Sequence, residues 1–176
     1  MSEQQQGESR RLFFALWPDQ EVRERLATLL ESLAPQGGRA VADSNLHLTL
    51  AFLGQVSPQQ QSCMEAWADG LHVPRLSLTL DHLGYWPQPR VVWLGPSRWS
   101  EALDHLVGSL VDGMHHCGLT PDPRPYIPHV TLMRKARGLP DWSPSSICWC
   151  SEGLVLCESC TGANGLEYRV LRHWSA

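Results

Sequence analysis

The chain has 176 residues, 43% hydrophobic and 18% charged, the balance of one ordinary globular unit with enough residues to bury a core without staples. Its formal net charge of −4 argues against a protein that wraps a long run of phosphates, because affinity for a nucleic-acid backbone comes from Lys and Arg; any contact with nucleic acid should be local. No apolar run approaches the ~20 residues that span a bilayer, and residues 1–10 lack the apolar stretch of a secretory signal, so the expected setting is the cytoplasm, with all six cysteines as reduced thiols.

Residues 1–9 read as a mobile tail. Residues 11–17, RLFFALW, form a short apolar run ended by Pro18 and Asp19, which predicts a buried strand and then a helix start. Val22, Leu26, Leu29, Leu30 and Leu33 recur at helical spacing until Pro35, Gly37 and Gly38 stop the helix. Residues 46–50, LHLTL, alternate with period two, so the leucines share one strand face and His47 and Thr49 share the other. Ser57 and Pro58 supply the cap and first turn of a second helix through Cys63 and Trp67.

Leu76, Leu78 and Leu80 alternate again, and residues 90–94, RVVWL, predict another strand beyond a turn-rich stretch at 84–89. Leu103, Leu106, Leu110 and Met114 mark the buried side of a third helix. After the stiff loop at 121–125, PDPRP, comes YIPHVTL at 126–132, with Pro128 at the strand entrance because it has no ladder hydrogen bond to donate. Two further strands are predicted around 151–156 and 167–171. Strands and helices without strict alternation favour α+β with antiparallel sheets over a doubly wound parallel sheet.

The motif His-x-Thr-Leu occurs twice, at His47 and at His129, although a random chain of this composition would contain it only ~0.04 times. Two copies 82 residues apart, each on a strand that follows a helix, predict an internal duplication with both strands facing one cleft. Two histidines with ordinary pKa near ~6.5 suit general acid-base work at neutral pH. Thr49 and Thr131, two residues on and pointing the same way, can each offer a hydroxyl to a phosphate oxygen. Such a pair is the minimum equipment for opening a phosphodiester by in-line attack without a metal.

With these motifs the chain resembles the two-histidine phosphoesterases, and within them the prokaryotic RNA 2',3'-cyclic phosphodiesterases of the 2'-5' RNA ligase family. The resemblance runs through residues 11–16, 45–54, 91–95, 128–134 and 168–174, nearly the whole chain. It implies an α+β, bilobal, pseudo-twofold arrangement of two antiparallel sheets with outer helices and the active cleft between the lobes, all within residues 10–176. The family's longer patterns, His-x-Thr-x-x-Phe and His-x-Thr-x-x-Arg, are filled by His47, Thr49 and Phe52 and by His129, Thr131 and Arg134. The resemblance implies His129 as proton acceptor from water and His47 as proton donor to the departing ribose 3'-oxygen. It implies a metal-independent, cofactor-free hydrolase that opens a 2',3'-cyclic phosphate at an RNA end, or on a cyclic nucleotide, to a 2'-phosphate. Reversible 2'-5' ligation, with a 5'-hydroxyl replacing water, and noncatalytic binding of RNA ends or nucleotides stay open as alternatives, and a monomer is expected.

Arg134 suits a forked phosphate grip, and Phe52 a base stack with little sequence preference. On a regular strand, however, the fifth residue after each His would point away from the cleft. Both strands are therefore expected to bend or bulge after the Thr, near Leu50 to Phe52 and Leu132 to Arg134. Arg124, Lys135 and Arg137 flank the second motif as candidates for a local positive patch. Cys148, Cys150, Cys157 and Cys160 could be weighed as a zinc set, but the spacing of the first pair is poor. His115 and His116, at a helix end, are expected to face solvent or cap the helix.

Overall fold

A computed structural model of the chain describes residues 8–163 and 165–176. Most of the expected tail lies outside these residues; Glu8 and Ser9 are exposed ahead of the first strand. The elements in order are β1 (Arg10–Leu16), α1 (Gln20–Leu33), β2 (Arg39–Ala40), β3 (Leu48–Val56), α2 (Pro58–Asp69), β4 (Ser77–Trp86), β5 (Val91–Pro96), α3 (Glu101–His116), β6 (Val130–Arg134), β7 (Ile147–Cys150), β8 (Gly153–Gly162) and β9 (Gly165–Ser175).

Local chemistry sets the ends of these elements. Asp19 caps α1 by accepting from the Val22 amide at 2.8 Å, and Ser57 and Gln60 form a reciprocal capping box at α2. The five apolar positions expected on the inner side of α1 are its buried residues, and the four expected on α3 are buried as well.

All strand pairs are antiparallel, in the order β7-β4-β5-β6-β3-β1-β8-β9, with β2 against β6. Between β6 and β3 the ladder is a single rung, Leu48 opposite Val130. The strands therefore divide into two four-stranded sheets, β3-β1-β8-β9 and β7-β4-β5-β6. The unit β1-α1-β3 in one lobe is matched by β5-α3-β6 in the other, which is the duplication expected from the paired motifs. The helices cross over: α1 packs against β7 and α3 against β3. One continuous core therefore joins both lobes, from Leu12 and Phe14 in β1 to Leu132 in β6 and Trp149 in β7.

Three expectations need correction. The stretch 84–89 was expected as a turn, but β4 runs on through Trp86 and the turn occupies residues 87–90; Gly84, Tyr85 and Trp86 pair with Trp93, Val92 and Val91, and those pairings outweigh the local turn composition. The last two strands are longer than expected, because β8 and β9 pair along nearly their whole length.

The cysteines were expected reduced, yet Cys63 and Cys117 are joined by a disulfide. Cys63 lies in α2 and Cys117 caps α3, and packing of these helices brings the two Cα atoms to 5.8 Å, within bonding range. The expectation came from the absence of an export signal, which bears on redox surroundings and not on proximity.

The other four cysteines do not converge. Cys148 and Cys150 lie in β7, and Cys157 and Cys160 in β8 of the other sheet. Among the described residues no group of three metal-binding side chains is gathered. Also among these residues, no helix is long and apolar enough to cross a membrane.

Candidate active site

His47 and His129 each sit one residue before a strand, β3 and β6, on either side of the single rung that joins the sheets. Their local geometry is the same. His47 Nδ1 lies 2.6 Å from the carbonyl of Asn45, and His129 Nδ1 lies 2.7 Å from the carbonyl of Ile127. A carbonyl only accepts, so in both rings Nδ1 carries the hydrogen and Nε2 holds the lone pair. His47 Nε2 is 3.0 Å from the Thr49 hydroxyl, which donates to it. His129 Nε2 has no hydrogen-bond partner among the described residues.

The bulges needed to bring the fifth residue into the cleft are present in both strands. Thr49 pairs with Ala15 and Ala51 with Phe14, leaving Leu50 as the extra residue. Thr131 pairs with Trp93 and Met133 with Val92, leaving Leu132 as the extra residue. Each bulge reverses the alternation of side chains. Phe52 consequently stands opposite Phe13, whose ring lies 4.9 Å from His47, and remains 43% exposed with the Arg11 guanidinium 4.9 Å from its ring centre. Arg134 follows the buried Met133 and so points to the other, open face.

Burial dominates the electrostatics. It drives the His47 pKa down from 6.5 to about 4 against the opposing bond to Asn45, with smaller depressions from the charges of His129 and Arg134. It lowers the His129 pKa too, again opposed by its carbonyl bond and assisted by Arg134. Arg134 is thus felt at both imidazoles, and with both pKa values below the ordinary 6.5 the neutral form of each ring prevails at pH 7.

Several side chains around these rings carried no local signal in the sequence. Trp17 stacks on His47 at 5.6 Å, and Tyr168 meets it edge-on at 4.9 Å. Trp86 meets His129 edge-on at 4.6 Å, and Trp93 lies at 6.0 Å. Buried Asn45 fixes the His47 carbonyl partner, donating to the Leu166 carbonyl at 2.8 Å and accepting from the Tyr168 amide at 3.3 Å. The Tyr126 hydroxyl donates to the Thr49 carbonyl at 3.1 Å, tying the approach to the second motif to the strand of the first. The sequence offered no pattern for these contacts beyond the aromatic residues themselves, since most of them come from distant segments.

Of the expected positive patch, Arg124 is held by Asp122 and lines a groove of about 440 Å³ beside Phe52, whereas Lys135 follows Arg134 directly and Arg137 lies beyond the buried Ala136. His115 and His116 are exposed at the end of α3, as expected.

The model of the 2'-5' RNA ligase superfamily matches residues 13–141, a span that contains both motifs. The chain belongs to that superfamily. It is 34% identical to an Escherichia coli protein called RNA 2',3'-cyclic phosphodiesterase, over 96% of this chain and 98% of the relative. An Archaeoglobus fulgidus protein of the same name is 30% identical over 74% of this chain and 76% of its own length. The fold matches the crystal structure of E. coli LigT complexed with 3'-AMP with a TM-score of 0.88 at 34% identity, covering 96% of this chain and 98% of that one. The superfamily member described here is therefore an α+β enzyme of two antiparallel sheets, in agreement with the resemblance drawn from its motifs.

Proposed function

We propose that this protein hydrolyses the 2',3'-cyclic phosphodiester at an RNA end to a 2'-phosphate, as a cytoplasmic monomer, by two-histidine acid-base catalysis. The observation that carries this reading is the matched pair of imidazoles. Each donates Nδ1–H to the carbonyl two residues before it, so each presents Nε2 as the working nitrogen.

The two halves of the pair are suited to different tasks. Neutral His129, whose Nε2 lone pair has no partner among the described residues, accepts a proton from water as it attacks phosphorus. The bond from phosphorus to the 3'-oxygen breaks, and His47 delivers a proton to that oxygen. His47 must first become charged, which its burial opposes. The anionic phosphate supplies the missing opposite charge, and the Thr49 hydroxyl turns from Nε2 to a phosphate oxygen. A proton held against such burial is readily given up, which suits a donor to an alkoxide.

Thr131 provides the equivalent hydroxyl on the second side. The Arg134 fork grips the charge that develops on the phosphorane-like transition state, and Phe52 stacks on the terminal base. RNA carrying a 2',3'-cyclic phosphate end should be converted to the 2'-phosphate in excess EDTA. Absence of turnover, or turnover by His47→Ala at the wild-type rate, would refute the reading.

A further inference from the structure

We propose that Arg39, together with Lys135 and Arg137, forms a second phosphate site beside Arg134, which holds the internucleotide phosphate preceding the cyclic end. This inference rests on the hydrolase reading above and deepens it, because it concerns how the protein distinguishes an RNA chain from a cyclic mononucleotide.

The first observation is the register of the short strand β2. Arg39 stands directly opposite Arg134, and Ala40 opposite the buried Met133. Direct partners across an antiparallel pair share a face, so Arg39 and Arg134 project together on the open side. Like charges placed directly opposite one another are unfavourable unless an anion lies between or beyond them.

Among the described residues neither arginine has such a partner. Arg10, Arg124 and Arg172 are paired with carboxylates, whereas among the described residues no carboxylate lies within ion-pair distance of Arg39, Arg134, Lys135 or Arg137. In a chain of net charge −4, this leaves four exposed cations on two paired segments, one of them Arg134, without a carboxylate partner among the described residues.

The second observation is that the backbone is built to hold the two segments together. The Val41 amide donates to the Leu132 carbonyl at 2.8 Å, and the Arg137 amide to the Gln36 carbonyl at 3.3 Å. Gly38, at φ +89°, lies so close to the other segment that a Cβ there would fall 2.6 Å from the Arg134 carbonyl oxygen and 2.8 Å from the Ala136 nitrogen. Only glycine permits this approach without displacement. Arg90 braces the far side, donating to the carbonyls of Lys135 and Ala136 at 3.0 and 3.2 Å. Arg39, on the strand paired with β6, itself reaches toward the β8-β9 turn of the other sheet, 3.6 Å from where a Gly165 Cβ would lie, so its charge lies between the two lobes.

Such a cluster fits a chain of phosphates. A cyclic mononucleotide has one phosphate, for which Arg134 suffices, and each further linkage brings one more charge past the mouth of the cleft. The backbone term is independent of base identity and weakens with salt.

The test compares 2',3'-cyclic AMP with a trinucleotide of adenylate that ends in the same cyclic phosphate and has no 5'-phosphate. For Arg39→Ala, the ratio of kcat/KM on the trinucleotide to that on the mononucleotide should fall on the order of tenfold, the loss expected of one charged hydrogen-bonded contact. The salt dependence of log kcat/KM on the trinucleotide should become shallower by about 0.7. The triple variant Arg39→Ala, Lys135→Ala, Arg137→Ala should lose more of the ratio. Turnover of the mononucleotide reports that each variant is folded. A ratio that stays within twofold of wild type in both variants overturns the second phosphate site and leaves the hydrolase intact. Failure of the unaltered protein to turn over either substrate overturns the hydrolase reading itself.

Discussion

Replacing His47 by Gln should remove a defined part of the protein's sensitivity to acid. The folded chain holds the His47 pKa at about 4 against an ordinary 6.5, with burial the largest cause. Between those two values the unfolded chain binds a proton at this site that the folded chain refuses. Stability therefore falls as pH drops from 6.5 towards 4, and is unaffected by His47 well above 6.5. A span of about 2.5 pH units at about 1.4 kcal/mol each gives a loss of about 3 kcal/mol. His129, whose pKa is lowered for the same reason, adds to the slope in the same direction. The two are separated by difference. Urea unfolding of wild type and His47→Gln at intervals from pH 8 to pH 4 should give curves whose gap changes by about 3 kcal/mol, with the wild type losing more. Parallel curves would mean that the His47 site is open enough to hydrate a charged ring, and would refute both the burial argument and the need for phosphate to charge the donor.

Other perturbations test other parts of the site. His47→Ala and His129→Ala should each reduce kcat by about 10²- to 10⁴-fold while still binding a 2'-phosphate product in a calorimetric titration. Arg134→Lys keeps the charge but loses the fork, so kcat on a cyclic nucleotide should fall more than KM rises. Asn45→Ala removes two hydrogen bonds from a buried group and should cost about 1–3 kcal/mol in urea unfolding, with reduced kcat because the His47 carbonyl partner is freed. Gly84→Ala would place a Cβ 2.1–2.7 Å from three atoms of the Trp93 ring. The ring must move, and thermal unfolding should show a loss of about 1–3 kcal/mol.

The sequence was most informative where a feature repeats or where a local rule has few solutions. The two His-x-Thr-Leu copies announced the duplication, and period-two alternation set Thr49 and Thr131 beside their histidines. A bend or bulge within residues 50–52 and 132–134 followed from a conflict between that alternation and the need to bring Phe52 and Arg134 to the same face, and the structure puts the extra residues at Leu50 and Leu132. Contacts made across long separations were not legible. Trp17, Tyr168, Trp86 and Trp93 reach the imidazoles from segments whose own patterns are those of ordinary strands and their edges. The partnership of Arg39 with Arg134 depends on a two-residue strand, too short to produce any period. The Cys63–Cys117 bridge depends on how two helices pack, and neither cysteine has a spacing that names the other. The strand marked by Leu78 and Leu80 was legible but its continuation through Trp86 was not, because Gly84 and Pro87 are turn formers in isolation, whereas Gly84 in the fold is the flat seat that Trp93 covers.

The single rung between Leu48 and Val130 has a consequence for how the site is held. His47 and His129 are the chain neighbours of those two residues, so almost no strand ladder lies between the two imidazoles to fix their spacing. That spacing is kept instead by what lies behind the rung: the helices that cross between the lobes, α1 against β7 and α3 against β3, and the apolar core both lobes share. The rivet of the molecule is thus its interior, and damage to the packing far from either histidine should reach the site as a change in their separation.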